Sequence, residues 1–291
     1  MQISIMLPPG YRQADVLAFH SRDREGVAEQ VTQERIVKGV LLGGVALLLD
    51  VTLTPGMALC EVQADGAPDP TMVEEALHNI LALRIDPAPF LALAADDPLL
   101  GACARRNAGL RIVQSATIFE ALTWAIIGQQ INLPFAIALR RSFILQAGRQ
   151  HSSGLWCYPE AQDVARLEPE ALTSRKFSRS KADTLLRLAC LVAGGELALD
   201  RRDDPAHVER ALLAVKGIGP WTVNYALLRG YGYPDCSLHG DVAIRAALQR
   251  LLREDTKPDI ARTHALLERY RPHRTMAAAC LWASLNQHEA D

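Results

Sequence analysis

The sequence is short of several features that would narrow its role at once. Its six cysteines, at positions 60, 103, 157, 190, 236 and 280, stand singly, with no CxxC or CxH spacing. That argues against a zinc site, a cysteine-ligated iron–sulfur cluster and a disulfide framework, and leaves small buried hydrophobes. The longest apolar runs, such as Val40–Leu49, contain glycines and fall short of the roughly 18 residues that a membrane span needs. No charged stretch followed by an apolar block opens the chain, so no secretion signal is expected and the default location is cytoplasmic. Net positive charge is lacking too: 31 Lys and Arg against 33 Asp and Glu give −2. At first sight that argues against a nucleic-acid partner.

What is present is a chain of 291 residues, 49% hydrophobic and 22% charged, enough for about two globular domains with a substantial core. The charge is unevenly spread. Residues 1–100 carry 6 Lys/Arg and 14 Asp/Glu, whereas residues 101–291 carry 25 and 19. A polyanion would therefore be met by the second part, through local clusters rather than a global field.

Residues 1–87 read as an α+β domain. Met1–Leu7 is a short apolar run, and segments 14–21 and 23–27 suit short helical turns. Segments 35–42, 45–53 and 58–63 are rich in Val, Leu and Ile and are separated by Gly43-Gly44 and Thr54-Pro55-Gly56, a strand–turn–strand–turn–strand pattern. Pro70-Thr71 opens a helix with Val73, Leu77 and Ile80 on one face. Asp86-Pro87-Ala88-Pro89 breaks the chain. Residues 88–291 then read as all-α, with about nine or ten short helices and no convincing strand.

The informative stretch is Leu212–Leu248. Asp204-Pro205 starts a helix with Val208, Leu212 and Val215 on one face. Lys216-Gly217-Ile218-Gly219 interrupts it, and Pro220 starts another. Two glycines permit a sharp reversal, and Ile218 between them can plug the gap between the helices. The amides of the turn, and of the next helix's first turn with Thr222, are then left free to hold an anion such as a DNA phosphate without regard to base sequence. An ordinary glycine-turned helix pair gives the same pattern, so both readings stand. Asp241 has two readings as well. It is an N-cap for the helix from Val242, and it is a carboxylate at the mouth of the same unit. Trp221 and Tyr225 are i, i+4 on one face, suited to stacking on an electron-poor base or to core packing. Arg175, Lys176, Arg179 and Lys181 form the densest basic cluster, suited to phosphate contact or to a solvated helix start.

These motifs carry a resemblance. LLAVKGIGPWTVNYALLRG (212–230), a loop, and HGDVAIRAAL (239–248) resemble the helix-hairpin-helix DNA glycosylase superfamily, and more closely its DNA-3-methyladenine glycosylase II branch. FEALTWAIIGQQI (119–131), YRPHR (270–274) and Leu281-Trp282 resemble that branch's interhelical turn and C-terminal helix. The resemblance implies an N-terminal TBP-like sheet domain, then two helical subdomains with the active-site cleft between them. It makes Asp241 the catalytic residue and Gly217, Ile218, Gly219, Thr222 and Lys216 the DNA grip. It makes Trp221, Tyr225, Trp124 and His273 the substrate pocket, and Gln129 or Gln130 the side chain that fills the gap left by a flipped nucleotide. Trp221 stands where lyase-competent relatives carry a nucleophilic lysine, which implies a monofunctional glycosylase. His273 stands where a second pocket tryptophan occurs, a departure that bears on lesion range.

The expected function is hydrolysis of the N-glycosidic bond of alkylated purines in duplex DNA. A glycosylase for a different lesion, such as a deaminated base, and a non-catalytic DNA-binding module are the alternatives. No cofactor is expected, and the expected state is a monomer. Whether the hairpin carbonyls also hold a monovalent cation is open at this point.

Overall fold

A computed structural model describes residues 1–286. Five strands form one antiparallel sheet in the order β1-β5-β4-β3-β2: β1 (Gln2–Met6), β2 (Glu29–Val31), β3 (Arg35–Leu42), β4 (Val45–Thr54) and β5 (Met57–Ala64). The three long strands fall where the sequence places them. The short edge strands β1 and β2 add to them, and segment 23–27 is a turn rather than a helix. Strand β5 alternates, with Ala58, Cys60 and Val62 buried and Met57, Leu59 and Glu61 outward, the pattern of a sheet covered on one face. Helix α1 (Gln13–His20) precedes β2, and helix α2 (Pro70–Ile80) follows β5. The Asp69 side chain accepts from the Thr71 amide to cap α2. Val73, Leu77 and Ile80 of α2 share an apolar cluster with Leu47, Leu49 and Val51 of the sheet, and Val113 and Ala116 join it from beyond residue 88.

Twelve α-helices follow among the described residues, against the nine or ten expected. They are α3 (Ala88–Leu93), α4 (Gly101–Arg106), α5 (Ile118–Gly128), α6 (Leu133–Ala147), α7 (Ala161–Val164) and α8 (Pro169–Thr173). Then come α9 (Arg179–Ala193), α10 (Pro205–Leu213), α11 (Pro220–Ala226), α12 (Val242–Leu252), α13 (Ile260–Glu268) and α14 (Arg274–Asn286). Helices α7 and α8 are about one turn each, too short for a 3.6-residue period to show in the sequence. Leu227–Tyr231 continues α11 as a π-helical turn. The expectation of no strand beyond residue 88 is corrected by a two-residue ladder of β6 (Arg149–Gln150) and β7 (Trp156–Cys157). It leans on the main sheet, where the Leu41 amide donates to the Tyr158 carbonyl and the Tyr158 amide to the Gly39 carbonyl, both at 3.2 Å. Two residues cannot display alternation. No described helix is long and apolar enough to cross a membrane.

A buried ion network fastens the helices to the sheet. Lys38 Nζ on β3 donates to Glu29 at 2.6 Å and to Glu120 on α5 at 2.9 Å, and Arg140 on α6 donates to Glu120 at 2.9 Å. Burial works to raise the Glu29 carboxyl, but Lys38 and Arg140 outweigh it and hold it well below the usual carboxylate range. Every charge here has an opposite partner, which a buried cluster requires. The network fixes α5, whose C-terminal end borders the hairpin.

Candidate active site

Helices α10 and α11 are joined by the turn that the sequence marks. Ile218 is 6% exposed and fills the space between them. The two glycines differ. Gly217 has φ +99°, and a Cβ there would lie 2.1 Å from Thr184 Oγ1 on α9. Both the backbone and the close helix approach therefore demand glycine. Gly219 has an ordinary extended φ of −109°, and a Cβ added to it would meet nothing within 4 Å. Its missing side chain leaves open space on the outer face. The amides of Gly219, Trp221 and Thr222 have no protein acceptor among the described residues, as the start of a helix dictates. Lys216 is exposed beside them, whereas Thr222 is 2% exposed.

The turn after α5 braces this hairpin. Gln129 Nε2 donates to the Gly217 carbonyl at 3.1 Å and to Thr222 Oγ1 at 2.9 Å. The Thr222 hydroxyl is thereby turned inward, and only its amide is left to face a ligand. Lys181 Nζ on α9 donates to the carbonyls of Ile127 and Gln129, both at 2.6 Å, and of Ile126 at 3.3 Å. A lysine at the last carbonyls of a helix is a C-terminal cap. Lys181 is therefore engaged here, unlike the exposed Arg175, Lys176 and Arg179. With Gln129 tied down, the exposed residue of the turn is Gln130, in the left-handed region at φ +56°.

Asp241 takes both roles that its sequence position allows geometrically. It is the N-cap of α12: its Oδ1 accepts from the amides of Ala243 at 2.9 Å and Ile244 at 3.0 Å. Its Oδ2 accepts from the Trp221 indole at 2.9 Å, and Oδ1 also from the Trp282 indole at 3.3 Å. Two amides and two indoles from three helices thus fix one half-buried carboxylate. The loop leading to it is pinned by the start of α14. Arg274, 7% exposed, forms a two-pronged ion pair with Asp235 at 2.7 and 2.9 Å. Thr275 Oγ1 donates to the Tyr233 carbonyl at 2.8 Å and accepts from the Cys236 amide at 2.9 Å.

Trp221 and Tyr225 face one another with ring centroids 5.3 Å apart at 31°. Trp124 donates to the Tyr225 hydroxyl at 2.8 Å, which joins α5 to α11 at this aromatic wall. Four of the sequence-marked residues, Trp124, Tyr225, Trp221 and Asp241, thus meet in one chain of contacts. His273 does not join it by any hydrogen bond or ring contact among the described residues. It precedes α14, half-buried, with its amide on the Tyr270 carbonyl at 2.6 Å. The second indole on the carboxylate is instead Trp282, nine residues along and so about 13 Å further down the helix axis. In the sequence, Trp282 stands out only as part of the Leu281-Trp282 motif. Its place on Asp241 comes from the crossing of α12 and α14, which no local signal carries. Arg274, which ends the YRPHR motif, and Thr275 take their places on the loop before Asp241 by the same kind of long-range packing.

Residues 123–272 match the family model of the HhH-GPD superfamily base excision DNA repair protein. A DNA-3-methyladenine glycosylase of Bacillus subtilis is 29% identical over 266 residues, covering 88% of each chain. The solved 3-methyladenine DNA glycosylase of Archaeoglobus fulgidus superposes with a TM-score of 0.83 at 20% identity, covering 98% of both chains. A Schizosaccharomyces pombe 3-methyladenine DNA glycosylase, solved in complex with abasic DNA, gives a TM-score of 0.59 at 23% identity, covering 67% of this chain and 95% of that one. With residues 123–272 matched, more than half of its length, the chain belongs to the HhH-GPD superfamily of base excision DNA repair glycosylases.

Proposed function

We propose that this glycosylase is monofunctional and removes alkylated purines, 3-methyladenine and 7-methylguanine among them, from duplex DNA. The observation that carries the reading is the Asp241 carboxylate, held by four N–H donors beside an aromatic wall. The name of the Bacillus relative supports the lesion class, and the Schizosaccharomyces complex supports a DNA substrate.

The damaged nucleotide leaves the stack before it reacts. The amides of Gly219, Trp221 and Thr222 hold a backbone phosphate, with Lys216 beside them, and Gln130 occupies the vacated gap. An alkylated purine is cationic and leaves readily, so the barrier lies in the oxocarbenium-like sugar. Asp241 stabilises that cation and orients the attacking water, while Trp221 and Tyr225 stack on the base. One carboxylate suffices because the leaving base needs little protonation. Trp221 has no amine to form a Schiff base with the sugar.

The test incubates methylated duplex DNA with the protein and resolves freed bases by chromatography. Release of 3-methyladenine and 7-methylguanine is expected, and no release from any methylated substrate contradicts the reading. Borohydride added during turnover is expected to trap no covalent protein–DNA adduct; a trapped adduct contradicts the monofunctional assignment.

A further inference from the structure

The aromatic wall closes into a circuit that includes two arginines. From Asp241 it runs through Trp221 to Tyr225, and from Tyr225 to Trp124. The Arg22 guanidinium lies 5.5 Å from the Trp124 ring and 3.6 Å from the Phe19 ring. The Arg229 guanidinium lies 4.8 Å from the same Phe19 ring and 5.8 Å from the Trp282 ring, and Trp282 returns to Asp241. The circuit thus links the carboxylate to both guanidiniums, to Arg229 through Trp282 and to Arg22 through Trp221, Tyr225 and Trp124. Arg22 comes from the turn after α1, and Arg229 from the π-helical turn after α11.

Neither arginine has an ion-pair partner among the described residues. Arg22 Nε donates to the Phe19 carbonyl at 2.8 Å, and Arg229 Nη1 to the Val113 carbonyl at 2.5 Å. Arg229 Nε is buried with no acceptor. Burial lowers the Arg22 guanidinium to about 10, with Tyr225 and Glu29 opposing and Arg229 and Arg140 adding to the shift; burial lowers Arg229 as well, opposed by its charge interaction and hydrogen bond with Tyr225. The Lys38 network on β3 shows the ordinary solution, in which each buried cation meets a carboxylate directly. The two cations share the Phe19 ring without a direct carboxylate pair, and the Arg229 Nε donor is left for a ligand to use.

We propose that Arg22 and Arg229 are specificity-determining donors that read a carbonyl on the edge of the flipped base away from the sugar, so that the pocket favours 6-oxopurines over 6-aminopurines. This rests on the glycosylase reading. With C1′ at Asp241, the far edge of a purine points across the circuit. A guanidinium only donates. O6 of a guanine-type base accepts, whereas N6 of an adenine-type base presents hydrogens of its own. The pair also acts on the chemistry. As the C1′–N9 bond breaks, its electron pair stays on the base and spreads onto O6, where the guanidiniums stabilise it. Water forms the new C1′–O bond, and its proton leaves by way of Asp241 to solvent.

The experiment measures 7-methylguanine and 3-methyladenine freed in single turnover from methylated duplex DNA by wild type, Arg22→Met, Arg229→Met and Arg229→Lys. Both bases are cationic, and they differ at the 6-position. The ratio of 7-methylguanine to 3-methyladenine rates is expected to fall about tenfold or more in each Met variant, the loss of a charged hydrogen bond, and to recover partly in Arg229→Lys. A purely structural role would slow both bases alike, so a ratio within about twofold of wild type in both Met variants overturns the proposal. Arg22→Met tests it alone if Arg229→Met does not fold. A wild type that frees neither base contradicts the glycosylase reading and this proposal with it. A wild type that frees both, with an unchanged ratio in the variants, sinks only this one.

Discussion

The hairpin and the corner that carries Asp241 lie close in the chain and are built on opposite plans. At the hairpin the side chains withdraw. Ile218 is buried, Thr222 points inward to Gln129, and Gly219 has no side chain, so the outer face is backbone amide and open space. At Asp241 the side chains converge, with Trp221 and Trp282 donating to a carboxylate that α12 already caps. A face of backbone amides suits contact with a phosphate backbone irrespective of base sequence, which is the role proposed for it. A group that must face one developing charge has to be held from several sides, because a small misplacement is costly in rate. The same helix, α11, serves both, with its first amides outward and its Trp221 side chain toward Asp241.

Among substitutions that leave Asp241 in place, the largest expected effect is on the hairpin's internal glycine. Gly217→Ala puts a Cβ against Thr184 at a positive φ, and should cost about 3 kcal/mol in urea unfolding. Next comes the carboxylate's clamp. Trp221→Phe keeps an aromatic ring but removes the 2.9 Å donor, and should lower the single-turnover rate by about ten- to a hundredfold. Trp282→Phe should cost less, since its bond is longer at 3.3 Å and shares Oδ1 with two amides. Gly219→Ala should leave the unfolding midpoint unchanged and weaken binding to abasic duplex by about tenfold. Equal losses of stability from the two glycine variants would erase the contrast between them. The smallest effect is on salt: with neutral amides making much of the grip, log K against log salt should fall with a slope no steeper than about −4, as few phosphates are neutralised by cations. A much steeper slope would move the grip from the amides to exposed arginines such as Arg175 and Arg179.

The long features were legible in the sequence because each has a local cause. The strands 35–42, 45–53 and 58–63 are rich in Val, Leu and Ile and separated by glycine turns, α2 has its proline start, and Gly217-Ile218-Gly219 marks the hairpin. Asp241 as a cap follows from its position before an apolar-periodic segment. What was not legible depends on residues far apart in the chain. Trp282 meets Asp241 across 41 positions, Arg274 meets Asp235 across 39, and Lys181 caps α5 from more than 50 positions away. The edge strands, the β6–β7 ladder and the one-turn helices escaped because they are too short to show a period. Gln129 and Gln130 look alike in sequence. Their difference appears only once α11 is packed beside them, where one amide side chain finds the Gly217 carbonyl and the other stays exposed.

The central claim is that Asp241 acts on the sugar while the hairpin holds the backbone. It is tested most directly by Asp241→Asn, which keeps an oxygen for the α12 amides but removes the negative charge. Single-turnover release of 7-methylguanine from duplex DNA and affinity for abasic duplex are measured on the same preparation. The account predicts release slower by about a thousandfold or more, with abasic-DNA affinity within about threefold of wild type. Release at the wild-type rate, or loss of binding in step with loss of release, would contradict it.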